Sequence, residues 1–90
     1  MTTCAHIQSA PISPMPEADK PGQVCPECVA MGSSWVHLRH CRECGHVGCC
    51  DDSPNRHARA HYQTEDHPVI DSAEPRERWS YCYADDVTAG

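Results

Sequence analysis

Cys41-Arg42-Glu43-Cys44-Gly45-His46-Val47-Gly48-Cys49 is the stretch that decides how this chain folds. A Cys-x-x-Cys unit forms a turn that presents two thiolates to one tetrahedral ion, with Zn–S at about 2.3 Å. An upstream unit, Cys25-Pro26-Glu27-Cys28, repeats the spacing, and His57, His61 and His67 follow Cys49. His57 and His61 stand at i and i+4, about one turn apart on one face of a helix. They need not share an ion, since each can serve a site on its own side of that face. Cys4 and His6 at one end and Cys82 at the other are the remaining candidates. Taken alone, Cys25-Pro26-Glu27-Cys28 could also be a redox dithiol; the histidines beside it favour metal.

The rest of the chain explains why metal is needed. Ninety residues make one domain, read here as 1–90. Leu, Ile and Val number ten in all, Phe is absent and the mean hydropathy is −0.64. That is below the roughly 20% aliphatic-plus-Phe share at which chains tend towards disorder. Such a chain folds only with staples, either disulfides or metal. Eight Cys fit both. Met1-Thr2-Thr3-Cys4-Ala5-His6 has neither the basic start nor the apolar run of a signal peptide. No stretch approaches the ~18 apolar residues of a membrane helix. The expected location is the cytoplasm, where thiols stay reduced and clustered Cys favour metal. Seven His beside the eight Cys agree, since imidazole has no part in a disulfide framework.

The formal charge is −6. Seven ligating thiolates subtract seven and three Zn²⁺ restore six, which leaves −7. An acidic surface repels phosphate, so neither nucleic acid nor an anionic membrane is an expected partner.

Along the chain, 7–23 holds Pro11, Pro14, Pro16 and Pro21 and reads as a Pro-rich loop. Ser34 to Arg39 alternates as a short strand does. Ser53-Pro54 is a helix start, with Ser as N-cap and Pro at the first helical position. The helix is predicted from Pro54 to about Gln63, with Asp51 and Asp52 favouring its N-terminus. Pro68 to Asp71 and Trp79 to Tyr83 read as strands. From Ala84 the chain is an acidic tail, flexible over 86–90. The predicted fold class is a small α+β zinc-stabilised domain: a short antiparallel sheet with one helix and a metal-dependent core.

Closed structural zinc sites take four protein ligands each. The seven Cys and four His named above make eleven, and three closed sites need twelve. Asp85, three residues after Cys82, stands where a Cys-x-x-Cys unit would have its second Cys, and carboxylate oxygen is an acceptable zinc ligand. The other reading of Asp85 is a solvated tail residue. His37, His40 and His46 are read as strand or turn residues rather than ligands.

The pattern Cys4-x-His6, Cys25-x-x-Cys28, Trp35, Cys41-x-x-Cys44-Gly45-His46-x-Gly48-Cys49, His57-x3-His61, His67-Pro68 and aromatic-Cys82-Tyr83 resembles the UBP-type zinc finger in its three-zinc variety. That module binds ubiquitin in some deubiquitinases and in one histone deacetylase. The resemblance covers essentially the whole chain. It implies three Zn²⁺ and a grouping of ligands: Cys4, His6, Cys82 and Asp85 at site one; Cys25, Cys28, Cys49 and His57 at site two; Cys41, Cys44, His61 and His67 at site three. It makes Cys49 the ligand and Cys50 a spare thiol.

The resemblance also implies a pocket for the free C-terminal Gly-Gly of ubiquitin, formed by Trp35, Tyr81 and Tyr83 with an Arg just after a Cys-Gly pair. Here Cys49-Cys50-Asp51 stands in place of Cys-Gly-Arg. An Arg supplies the charge-assisted hydrogen bonds a carboxylate needs, whereas Asp51 repels one. Compensation by Arg39, Arg42 or Arg56 from elsewhere in the chain is the alternative, and spacing gives no support for it. Closed sites two and three, and the lack of a His-Glu-x-x-His or Ser/His/Asp set, make the expected metals structural and the protein not an enzyme. The expectation is a monomeric interaction module for a protein or peptide C-terminus, one that holds the ubiquitin tail weakly. Binding of the ubiquitin Gly-Gly tail and a redox- or zinc-responsive thiol switch are the alternatives.

Overall fold

The computed structural model describes residues 4–89. In chain order the elements are α1 (Ala5–Ser9), a 3₁₀ turn (Glu17–Asp19), α2 (Pro26–Met31), β1 (Leu38–Cys41), β2 (Val47–Cys49), α3 (His57–Glu65), β3 (Val69–Ser72), β4 (Ser80–Cys82) and β5 (Val87–Ala89). The strands form one antiparallel sheet in the order β2-β1-β3-β4-β5. Central β3 is buried at all four positions. Its ladder with β4 runs past both strand ends: Ser72 N–H donates to the Trp79 carbonyl (3.1 Å) and Tyr83 N–H to the Pro68 carbonyl (2.8 Å).

The interior is made of sulfur more than of hydrocarbon. Of the twelve buried hydrophobic residues, seven are Cys, and Cys25, Cys28, Leu38, Cys49 and Ala73 form the central cluster. Met15, Trp35 and Val47 pack around it. A buried His–Asp hydrogen bond clips the sheet to the Pro-rich segment. His40 Nδ1 lies 2.6 Å from Asp71 Oδ1, and Asp71 Oδ2 accepts the Met15 N–H (2.9 Å). Buried Lys20 donates to the Glu77 carbonyl and lies 3.4 Å from Glu17. Helix α3 reaches the sheet at Gly48, where an added Cβ would lie 2.7 Å from the Ala58 backbone nitrogen. Only glycine permits that approach.

Several expectations need correction. The α+β class and the antiparallel sheet are as read, but the described residues form three α-helices rather than one, and five strands. Cys25-x-x-Cys28 is not a bare turn: Cys25 is the N-cap of α2, Pro26 occupies its first turn and left-handed Gly32 (φ 68°) ends it. The long helix starts at His57, not Pro54. Ser53 Oγ accepts the Val36 N–H (2.8 Å), and Asn55 Nδ2 donates to Ser33 Oγ (2.8 Å). These bonds wrap 51–56 over α2, so the side chain expected to cap the helix is engaged elsewhere. The same contact takes Val36 out of strand pairing, and β1 begins at Leu38 instead of Ser34. Within 7–23, α1 ends at Ser9 and the 3₁₀ turn interrupts the loop. The 86–90 tail is a strand over Val87–Ala89, paired with β4; Gly90 lies outside the described residues.

Candidate metal centres

Site two is assembled from three elements. Cys25 and Cys28 belong to the start of α2, Cys49 ends β2 and His57 opens α3. All three Cys are 0% exposed. His57 Nδ1 lies 3.2, 3.3 and 3.5 Å from the sulfurs of Cys25, Cys28 and Cys49, and the Cys28 and Cys49 sulfurs are 3.8 Å apart. Tetrahedral ligands at ordinary Zn–S and Zn–N lengths stand about 3.8 Å (S–S) and about 3.5 Å (S–N) from one another. The His57 N–H also donates to Cys49 Sγ (3.1 Å), so the helix begins on a thiolate.

Site three shares α3. Cys41 ends β1, Cys44 sits in the turn beyond it, and His61 and His67 come from α3 and the segment after it. Cys44 Sγ and His61 Nε2 are 3.2 Å apart, Cys41 Sγ and His67 Nδ1 3.7 Å, and the two imidazole nitrogens 3.3 Å. Burial, followed by His46, holds the His61 imidazole below its ordinary pKa, which keeps the ring neutral as a ligand must be. Burial pushes the Cys25 thiol up to about 11 and the Cys41 thiol upward too, so without a cation both stay protonated. A dication reverses that preference.

Site one joins the two ends of the described chain. Cys4 Sγ lies 2.9 Å from Asp85 Oδ2, His6 Nδ1 is 3.0 Å from the same oxygen, and His6 Nδ1 is 3.6 Å from Cys82 Sγ. Cys4 and Cys82 are buried, whereas the His6 and Asp85 side chains are 48% and 44% exposed. The Cys4 thiol and then His6 hold the Asp85 carboxyl below its usual range, and the Asp85 bond and then burial raise the Cys4 thiol. In each site the four ligand atoms lie within 4.8 Å of one another, so each can hold a zinc ion. All twelve residues named from the sequence are thus brought together in the grouping expected. None of His37, His40, His46 or Cys50 joins a group among the described residues. His46 instead bonds Glu27 (2.6 Å) and stacks on His61 at 4.1 Å, spanning sites two and three.

A cavity of about 300 Å³ is lined by Arg39, Asp51, Trp79, Tyr81, Tyr83 and Thr88 with Cys50, Asp52 and Ile70. Tyr81, Tyr83 and Asp51 were expected there. Trp35 is not among the lining residues; it packs on the sulfur cluster, and Trp79 supplies the indole. Two arginines meet the rings. Arg39, one of the three arginines named from the sequence, lies 4.5 Å over Trp79, and Arg59 lies 4.8 Å over Tyr83. Arg59 donates from Nε to both Asp51 oxygens (3.0 Å each) and from Nη2 to Oδ2 (2.6 Å). Arg42 is spent on the Ile12 carbonyl (2.9 Å), and Arg56 is the left-handed residue before α3. Sequence reasoning passed over Arg59 although a signal existed: it stands midway between His57 and His61, which turns it away from the metals. Tyr81 O–H donates to Asp86 Oδ1 (2.5 Å), and that bond, then burial, pushes its pKa up to about 12.

Comparison with known proteins agrees with this geometry. The family model described as "Zn-finger in ubiquitin-hydrolases and other protein" matches residues 25–89. Among solved structures, the chain is similar to the solution NMR structure of protein RPA1320 from Rhodopseudomonas palustris. The two are 44% identical with a TM-score of 0.78, over 98% of this chain and 81% of that one. No curated protein matches. With its ligand order, its three four-residue clusters and 65 consecutive residues fitting the family model, the chain belongs to the UBP-type zinc-finger family.

Proposed function

We propose that this protein is a non-catalytic, zinc-stabilised recognition module that receives a peptide segment of a partner protein in the Trp79–Tyr81–Tyr83 cavity, and that it holds the ubiquitin C-terminus only weakly. The carrying observation is Asp51 in the cavity wall, its carboxylate bound side-on by Arg59. Arg59 is thereby engaged, and Arg39 in the cavity wall lies over Trp79, so a ligand carboxylate entering beside Asp51 meets a like charge. Two such charges about 4 Å apart repel by roughly 1 kcal/mol in water and roughly 4 kcal/mol near a protein surface. Arg59 offsets part of this, as half-exposed pairs do only modestly. The three rings supply apolar area and π faces for a peptide side chain or backbone. The formal charge of −6 speaks against nucleic acid and anionic lipid as partners, and the expected form is a cytoplasmic monomer.

The oxidation-driven form of the thiol-switch alternative rests on Cys50 and the thiolate sites. Cys50 is 3% exposed, with its sulfur 3.4 Å from Ser53 Oγ, a placement that shields it from oxidants, and of the seven ligand thiols only Cys44 is exposed. Recognition is therefore the better supported reading. Titrating the zinc-loaded protein with a ubiquitin C-terminal peptide tests it by calorimetry. A Kd weaker than about 100 μM is expected, and micromolar affinity overturns the weak-binding reading. A pull-down with the zinc-loaded protein identifies the partner.

A further inference from the structure

The three metal sites are not equivalent. Site two is enclosed, with three Cys that are 0% exposed. Site three shares α3 with it and has only sulfur and imidazole donors, of which Cys44 alone is exposed. Site one alone includes a carboxylate, and two of its four ligands, His6 and Asp85, are about half exposed. Zinc held by thiolate and imidazole loses a soft donor when a carboxylate replaces one, and an exposed ligand is within reach of a competing one. Beyond its ligands the N-terminal arm rests on β4 without burying any residue of α1, and the next anchor is the pairing of Ile12 N–H with the Arg42 carbonyl (2.9 Å).

Site one is also wired to the cavity. Cys82 sits between Tyr81 and Tyr83. Asp85 lies in the turn leading to β5, followed by Asp86, which takes the Tyr81 hydroxyl. Thr88, on the cavity wall, pairs with Tyr81 across the β4–β5 ladder. β5 is a three-residue edge strand bonded to β4 alone, and a ladder that short is marginal without an anchor. The anchor is Asp85, through its ligand atom and through its N–H to Cys82 Sγ (3.4 Å).

We propose that the Cys4–His6–Cys82–Asp85 site is an exchangeable zinc site whose occupancy controls the shape of the aromatic cavity, while sites two and three maintain the fold. Zinc availability then regulates recognition. That last step rests on the cavity being the recognition surface; the exchange itself does not. On release, the thiolates of Cys4 and Cys82 take up protons, α1 detaches and β5 frays, which removes Thr88 and Asp86 from the side of Tyr81.

The test is a competitive chelator titration of the three-zinc protein without any peptide, with zinc counted by native mass spectrometry and the amides followed by NMR. One zinc is expected to leave at a chelator concentration at least about tenfold below that needed for the other two. Tyr81, Tyr83 and Thr88 signals should shift in that first step while Leu38, Ala58 and Ala73 stay in place. Asp85→Cys, which makes the site Cys₃His, should move the first loss up to the range of the others. Loss of all three ions together, a first loss that leaves the cavity signals unmoved, or an Asp85→Cys protein that still gives up one ion early overturns the proposal. Since no ligand is present, failure of the binding reading would appear in the peptide titration and leave this result intact.

Discussion

Gly48 and Asp51 show how much can depend on a single side chain in a domain with so little core. At Gly48 a methyl group would collide with the Ala58 backbone at 2.7 Å and 3.0 Å. Gly48→Ala must therefore push α3 off β2 and spread both metal sites that α3 serves. A loss of about 1–3 kcal/mol is expected, read as a lowered thermal midpoint of the zinc-loaded protein. An unchanged midpoint would show that α3 can slide without cost. At Asp51 the charge is the issue. Asp51→Arg removes the repulsion, frees Arg59 and adds a guanidinium, so affinity for a ubiquitin C-terminal peptide should rise at least about tenfold. Calorimetry against the parent protein decides it, and no gain would mean that Asp51 does not govern what the cavity accepts.

At the scale of elements, the ligand spacing carried most of the information, and the local propensities carried less. Two Cys-x-x-Cys units and a helical i, i+4 His pair made most ligands readable as metal-binding residues. The need for a twelfth donor pointed to Asp85 against a solvated-tail reading, and the choice of Cys49 over Cys50 and the grouping into three sites came from the family resemblance. The strands at 69–72 and 80–82 were legible from β-branched and aromatic residues. The start of α3 was not. Ser53-Pro54 is a good capping dipeptide, yet Ser53 and Asn55 bond Val36 and Ser33 across the loop. β5 was hidden by its acidic approach, Asp85-Asp86, although its pairing with β4 is a local hairpin. Site two holds α2, β2 and α3 together, so Cys28→Ser should unfold all three. Amide exchange with the zinc-loaded variant should show Ala58 and Cys49 unprotected. Protection retained at those positions would make the sulfur cluster, rather than the ion, the source of order.

Across the whole molecule, folding and the loading of sites two and three are one equilibrium. Excess chelator should abolish the near-ultraviolet signal of Trp35 and Trp79, and zinc should restore it. The pH dependence follows from the thiols. Burial raises the Cys25 thiol to about 11 and the Cys41 thiol above its ordinary value in the metal-free fold. Protons therefore compete with zinc more strongly as pH falls. Zinc retention should be complete above neutrality and decline on acidification from pH 7 towards pH 5, with protons released when zinc is added back in weak buffer. Retention unchanged at pH 5 would contradict the thiolate assignment. The His46 bridge between Glu27 and His61 has a final consequence for how the ions arrive. Sites two and three draw ligands from one helix and share this stacked pair as a common wall, so the entropy of ordering α3 is lost once, with whichever ion binds first. The second ion then meets ligands already in place. Loading of these two sites should be cooperative, and a substoichiometric zinc titration should populate doubly loaded protein beside metal-free chains, with the singly loaded form scarce.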